Sequence, residues 1–280
     1  MEILLTSRLS TLSHPQRLSI FRLLMRRCPD EITAGEIAHV LELKASTASV
    51  YLSALTQTGL ISQRREGTRL LYAVNLAAAG EVVSGLFVDC CRGRPDLCPP
   101  QFSQSMAQQS NWADKKRNVL FVCSGNSARS IFAEAILRDI AGDRFNAYSA
   151  GTAHGSELNP FAVEVLRSKA HDVSLLRSDS ISDYNGESAP QMDFVFTVCD
   201  LAANQDSPAW TGQPILGHWG MPDPVKAEGT NAEKKMAFQQ TYRALHRRLS
   251  RFTALPLAEF DRASLQRTVD EIGKETATQE

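Results

Sequence analysis

The stretch NVLFVCSGNSARSIFAEAIL, beginning at Asn118, limits the fold more than any other part of the chain. Val119 to Val122 form a short apolar run of strand length, and CSGNSAR is a small, polar loop. From about Ser130 the apolar residues recur at helical spacing. An apolar strand passing straight into a helix is the first half of a strand–helix–strand unit, and such units build a parallel sheet covered by helices.

The same alternation continues downstream. Phe145 to Ser149 and Phe194 to Val198 read as strands, separated by helical segments at Ile131 to Ala141 and Pro160 to Lys169. The closing segment from Asn231 predicts a long helix with Met236, Phe238, Tyr242, Leu245 and Leu249 on or near one face. Upstream, CPPQFSQSMAQQSNWADKKR is rich in Gln, Ser and Pro, has no apolar period, and reads as a linker.

Before that boundary the pattern is helical, then a hairpin. Pro15 opens a helix with Leu18, Phe21, Leu24 and Met25 at helical spacing. Thr33 and Glu36 form a capping-box pattern, and Ser46 opens a helix with Val50, Leu52 and Leu55 that Gly59 ends. LISQRREGTRLLYAV then alternates around a Glu66-Gly67 turn. The 280 residues therefore divide into an α+β winged helix-turn-helix over 1–98, a linker over 99–117 and an α/β domain with a parallel sheet over 118–280.

With 43% hydrophobic and 22% charged residues, wholesale disorder is excluded, and a net charge of -1 requires any nucleic acid to be held by a local basic patch. MEILLTSRLS lacks signal-peptide features, and the apolar run from Leu70 is broken by Asn75, Gly80 and Glu81. A cytoplasmic protein without a membrane partner is expected. There, six cysteines are expected to react or to bind metal rather than form a disulfide framework.

A strand ending at Cys123, a loop of small residues and a helix start together make an anion cradle. Backbone amides of Ser124, Gly125, Asn126, Ser127, Ala128 and Arg129, with Ser130 following, are placed to converge on one oxyanion at a positive helix end. The same field favours a thiolate at Cys123, and Arg129 offers a planar fork suited to a tetrahedral oxyanion. The alternative is a buried strand-end cysteine beside a surface arginine.

VLFVCSGNSARS, with SAGT at Ser149, NPFAVEVL at Asn159, VFTVCD at Val195 and HWGMPDP at His218, resembles the low-molecular-weight tyrosine phosphatase family, and within it the arsenate reductases built on that fold. HWGMPDPVKAEGT stands where phosphatases carry a tyrosine-rich segment, which favours the reductase branch. The resemblance implies Cys123 as nucleophile, Arg129 as oxyanion clamp, Asn126 and Ser127 as supports of the thiolate loop, and Asp223 as the acid that protonates a departing oxygen. Alone, Asp223 in MPDPV reads equally well as a turn residue.

Arsenate reduction needs two electrons, so a second thiol must attack the Cys123 adduct, and Cys199 at the end of FVFTV is the candidate. Read without the resemblance, Cys199 is equally an ordinary core cysteine. Thioredoxin-coupled members of the family carry a third cysteine before a proline, where this chain has Ser207. Reduction by an external thiol system is therefore expected, glutathione with glutaredoxin ahead of thioredoxin.

In the N-terminal half, helix, turn, helix and a basic hairpin is a DNA-reading layout. Ser46, Thr47, Ser49 and Tyr51 are placed for bases or phosphates, and Arg64, Arg65 and Arg69 for phosphates. The alternative is a protein-interaction module with a solvated hairpin. LSHPQRLSIF and the segment from EITAGE to LLYAV resemble the ArsR family of metalloid-responsive winged-helix repressors, without the cysteine pair many members have near the third helix. Instead, VDCCRGRPDLC presents Cys90, Cys91 and Cys98, a trio of soft sulfurs suited to trigonal arsenite, while Cys28 stands alone and reads as structural.

Together these readings predict a homodimeric, arsenite-responsive repressor of operator DNA, fused to a thiol-dependent arsenate reductase. No permanently bound cofactor is expected, and arsenite is the effector. The alternatives are a tyrosine phosphatase fused to a regulator, or a regulator whose second domain only binds an oxyanion.

Overall fold

A computed structural model describes residues 2–91, 115–153, 157–186, 189–206, 208, 210 and 213–274. The chain divides into two compact units, residues 1–104 and 105–280. Cys98, Ser207 and the expected linker up to residue 114 lie outside the described residues.

The N-terminal unit runs α1 (Glu2–Leu12), α2 (Pro15–Arg27), β1 (Ile32–Thr33), α3 (Ala34–Val40), α4 (Ala45–Gln57), β2 (Ile61–Glu66), β3 (Arg69–Val74) and α5 (Leu76–Ser84). A π-helical turn, Gly85–Cys90, extends α5. The three strands form an antiparallel sheet in the order β1-β3-β2. Ile20, Leu23, Leu24, Ile37, Leu52, Leu55 and Tyr72 form its core.

Sequence signals set most of these boundaries, with local differences. Thr33 caps α3 by accepting from the Glu36 amide, but the Glu36 carboxylate turns instead to Arg27, at 2.8 Å, leaving half of the expected capping box. The hairpin turn falls after Glu66, where Gly67 takes the left-handed φ of +59° that a tight turn requires. Asn75 caps α5 and also donates to the Gly59 carbonyl, tying the end of the wing to the end of α4.

The C-terminal unit contains β4 (Arg117–Cys123), α6 (Arg129–Ala141), β5 (Phe145–Gly151), α7 (Pro160–Ser168), β6 (Phe194–Thr197), α8 (Asp200–Asn204), β7 (Ile215–His218), α9 (Asn231–Thr253) and α10 (Arg262–Gly273). Its four strands are all parallel, in the order β5-β4-β6-β7. The chain leaves β4 for β5 on one side and later returns to β6 on the other, so the strand order reverses between β4 and β6. Ligands of such sheets bind at that crevice, beyond the carboxyl ends of the strands.

Helices and sheet share a core of Phe121, Phe132, Phe196, Trp219, Phe238 and Phe252. Phe196 stacks on Trp219 with centroids 4.1 Å apart, which fixes the end of β7 against β6. On α9, Phe238, Tyr242, Leu245 and Leu249 are buried as expected, whereas Met236 is exposed, because the core begins beyond the first turn of that helix. Among the described residues, no helix is long and apolar enough to cross a membrane, and the run from Leu70 is β3 followed by α5.

Candidate active site

Cys123 is the last residue of β4 and is buried; the loop behind it turns into α6 at Arg129, one residue ahead of the expected start. The Ser130 hydroxyl lies 2.9 Å from Cys123 Sγ, and the Asn126 amide donates to the same sulfur at 3.2 Å. Asn126 is fully buried with φ of +45°, a left-handed conformation that asparagine tolerates and that turns successive amides inward. No side chain caps α6, so its positive end faces the loop.

Neighbouring segments brace this loop. Thr152 and Ala153 amides donate to the carbonyls of Cys123 and Ser124 at 3.0 and 2.8 Å, and the Asn159 amide donates to Ser127 O at 3.0 Å. Gly151 leaves the space the loop occupies: a Cβ there would stand 3.0 Å from Ser124 O and 3.2 Å from Asn126 Cβ. Buried Ser149 donates to Glu134 at 2.6 Å and lies 3.5 Å from Asn126 Oδ1. Burial pushes the Glu134 carboxyl above its usual range, with the Ser149 hydroxyl and Arg138 opposing. Gly151 and Ser149 lie in and around the quoted SAGT, but the solitary acid of IFAEAIL was the only clue to Glu134.

Arg129 is buried, and its guanidinium is held from the far side. Nη1 donates to Met221 O at 3.3 Å and Nη2 lies 2.9 Å from Asp223 Oδ2. Asp223 also caps a short 3-10 turn by accepting from the Val225 amide at 3.2 Å, so MPDPV forms the turn that one reading expected while its carboxylate also pairs with Arg129.

Cys199 is buried just beyond β6, the strand next to β4; the Val198 amide donates to Val122 O at 2.8 Å. It caps α8, its sulfur accepting from the Ala202 amide at 3.4 Å. Burial raises the Cys199 thiol above the ordinary value, while Arg129 pulls it down, Cys123 pushes it up and the Ser124 amide lowers it. All of those named groups belong to the Cys123 loop, so the second thiol sits in the field of the first.

In the N-terminal unit, Ser46 and Ser49 are exposed on α4 and Thr47 is half-buried. Tyr51 is half-buried, its hydroxyl 3.4 Å from His14 Nε2 and the rings 4.8 Å apart. Arg65 and Arg69 are exposed on the wing, while Arg64 is held by Glu31 at 2.5 Å and Glu66 at 3.3 Å. Cys90 is exposed and Cys91 half-buried at the end of the π-helical turn; Cys28 is half-buried at the end of α2.

Residues 118–270 match the family described as low molecular weight phosphotyrosine protein phosphatase, and residues 12–64 match a helix-turn-helix domain. An arsenate reductase of Bacillus licheniformis is 40% identical over 138 residues, which are 49% of this chain and 95% of that protein. An arsenate reductase of Bacillus subtilis is 37% identical over 135 residues, 48% of this chain and 93% of its own. A solved homodimeric winged helix-turn-helix DNA-binding domain from Mycobacterium bovis, described as a possible ArsR-family transcriptional regulator, is 30% identical, covering 30% of this chain and 77% of that one with a TM-score of 0.26. Matched over residues 118–270 and built on a parallel sheet, the chain belongs to the low molecular weight phosphotyrosine protein phosphatase family, the curated relatives named above are arsenate reductases, and a helix-turn-helix domain precedes that part.

Proposed function

We propose that this protein reduces arsenate to arsenite with its own two thiols and that its N-terminal domain is an operator-binding repressor released by arsenite. The observation carrying the enzymatic half is the placement of Cys199 within the field of Cys123 and Arg129 at the sheet's switch point. A phosphatase needs the first thiol but has no use for the second.

In this reading, arsenate lies in the loop amides with Arg129 across two of its oxygens. Cys123 displaces one oxygen from arsenic, and Asp223 protonates it so that water departs. Cys199 then attacks Cys123 Sγ, and the S–As electron pair remains on arsenic as arsenite leaves. Overall, one arsenate and two thiols give one arsenite, one disulfide and one water. A Cys123–Cys199 disulfide is then reduced from outside; Ser207 cannot relay it, which favours glutathione with glutaredoxin over thioredoxin.

The test is arsenite production by wild type, Cys123→Ser and Cys199→Ser with each thiol system. Both variants are expected to lose arsenite production, and only Cys199→Ser to keep hydrolysing an aryl phosphate. Fast aryl phosphate turnover without arsenite production would make the protein a phosphatase; loss of both in wild type would leave an oxyanion-binding module.

For the regulatory half, Cys90 and Cys91 stand at the end of α5, and Cys98 follows in sequence as a further sulfur ligand for arsenite. Ile3 and Leu4 of α1 and Val83 of α5 are exposed apolar residues on two helices that pack together, a face suited to a second copy. Operator DNA held by wild type and released by arsenite, but not released from the Cys90, Cys91 and Cys98 triple serine variant, is the expected gel-shift result. Release from that variant would sink the sensing role.

A further inference from the structure

HWGMPDP carries one residue that the reaction above leaves without a task. His218 is 1% exposed at the end of β7, where a titratable ring needs a reason to be buried. Its Nδ1 lies 2.9 Å from the Thr197 hydroxyl on β6, and its Nε2 lies 3.3 Å from Asp200 Oδ1, the first residue of α8. The Thr197 hydroxyl also donates to Gly217 O at 3.4 Å, the direction of its bond to Nδ1 depends on the tautomer, and Nε2 meets the Asp200 carboxylate through charge at 3.3 Å rather than through an aligned hydrogen bond.

The ring is therefore wedged between the two residues that bracket Val198 and Cys199. The next residue anchors its backbone, because Trp219 stacks on Phe196 and its Nε1–H donates to Val269 O at 3.2 Å. Gly220 supplies the room: a Cβ there would stand 2.8 Å from Asp200 Oδ1 and 2.9 Å from His218 Nε2. The next residues reach the first thiol's side of the site, where Met221 O and Asp223 hold Arg129. One short segment thus touches α8 at one end and the oxyanion clamp at the other.

We infer that His218 is a positioning residue for Cys199, holding the start of α8 so that the second thiol faces the Cys123 adduct. The inference rests on the reductase reading. The step it governs is attack of the Cys199 thiolate on Cys123 Sγ: a sulfur–sulfur bond forms, the Cys123 sulfur–arsenic bond breaks, and its electron pair reduces arsenic from As(V) to As(III). The two sulfurs are oxidised together to the disulfide, and the thiol proton of Cys199 goes to solvent. His218 touches neither sulfur in this scheme; it sets the angle and distance of attack, where a displacement of about 1 Å costs on the order of 100-fold.

The test uses the full chain and two readouts on each variant. The first is the single-turnover rate of arsenate-dependent Cys123–Cys199 disulfide formation, followed by mass spectrometry after thiol alkylation. The second is steady-state hydrolysis of an aryl phosphate, which needs Cys123, Arg129 and Asp223 but not Cys199. His218→Ala and Asp200→Asn are expected to slow disulfide formation about 10- to 100-fold while aryl phosphate hydrolysis stays within about threefold. His218→Gln, whose amide N–H can still reach Asp200, is expected to recover part of the loss.

Equal loss of both activities in His218→Gln would make His218 a structural residue and overturn the inference. So would disulfide formation at the wild-type rate in His218→Ala and Asp200→Asn. No arsenate-dependent disulfide in wild type would overturn the reductase reading and this inference with it, an outcome distinct from the other two.

Discussion

Arg129 Nη2 lies 2.9 Å from Asp223 Oδ2, so the proposed oxyanion clamp and the proposed acid hold each other in place. The pairing ties the guanidinium at the start of α6 to the segment that follows β7. In the proposed reaction an arriving oxyanion draws on the same donors, which would bring Asp223 next to the oxygen that must leave. Asp223→Asn keeps the shape and removes the proton. Arsenate-dependent disulfide formation is expected to fall about 100- to 10,000-fold, measured in single turnover; a loss under about threefold would remove Asp223 from the chemistry.

Gly151 is a steric prediction. An added methyl would press on Ser124 O and Asn126 Cβ, both parts of the anion loop, and backbone yields less readily than a side-chain tip. Gly151→Ala is expected to cost about 1–3 kcal/mol of stability and to reduce turnover far more than that loss of stability explains. Denaturant melts and aryl phosphate kinetics on the same preparation check it, and unchanged kinetics would contradict it.

Cys199 sets a pH dependence. Burial raises its thiol above the ordinary value, so at neutral pH the thiolate that the proposed attack needs is the minor form. The single-turnover rate of disulfide formation should climb between roughly pH 7 and pH 9, close to tenfold per unit at first, in proportion to the thiolate. A flat profile across that range would show that Cys199 is not the group whose ionisation limits the step.

Asp270, on α10, carries a stability prediction whose sign follows from burial. Its carboxyl is pushed up to about 6 by desolvation, against which Gln266 donates at 2.9 Å. A raised folded-state value means the group's contribution is fully present below the unfolded value of about 4 and is lost as pH rises through about 6. Asp270→Asn should therefore raise the melting temperature of the C-terminal unit near pH 8 by about 2–4 °C, an effect discounted to about 1 kcal/mol for partial exposure. The gain should vanish near pH 4; calorimetry at the two pH values reads it, and a gain at the lower pH alone would reverse the argument.

The wing arginines are not equivalent. Arg64 is engaged by Glu31 and Glu66, whereas Arg65 and Arg69 stand exposed on either side of the turn. Removing Arg65 or Arg69 should lower the slope of log affinity against log salt for operator DNA by about 1 each. Arg64→Ala should change it by less than half of that, because part of its charge is already neutralised. Equal slopes for all three variants would show that DNA displaces the acidic partners.

Sequence by itself determined the elements and the strand–loop–helix that carries Cys123. VLFVCSGNSARS announces strand, anion loop and helix because apolar run, small residues and helical spacing are local properties of consecutive residues. The hairpin and the helix from Ser46 were legible for the same reason. What sequence could not rank was Asp223 as turn residue or proton donor, and Cys199 as core thiol or second thiol, since each answer depends on residues far away in the chain.

Tertiary structure supplies the neighbours: Asp223 both caps its turn and pairs with Arg129, and Cys199 lies beside the Cys123 loop. Parallel pairing of β4 with β6 puts Cys199 beside the Cys123 loop across 76 residues of sequence, and the end of β7 carries Asp223 to Arg129. It also decided the supports that no spacing reveals: Gly151 beneath the loop, Glu134 behind Ser149, and His218 between Thr197 and Asp200. The physical reason is that propensity and period act along the chain, whereas close approach, burial and charge pairing exist only once strands distant in sequence share a sheet.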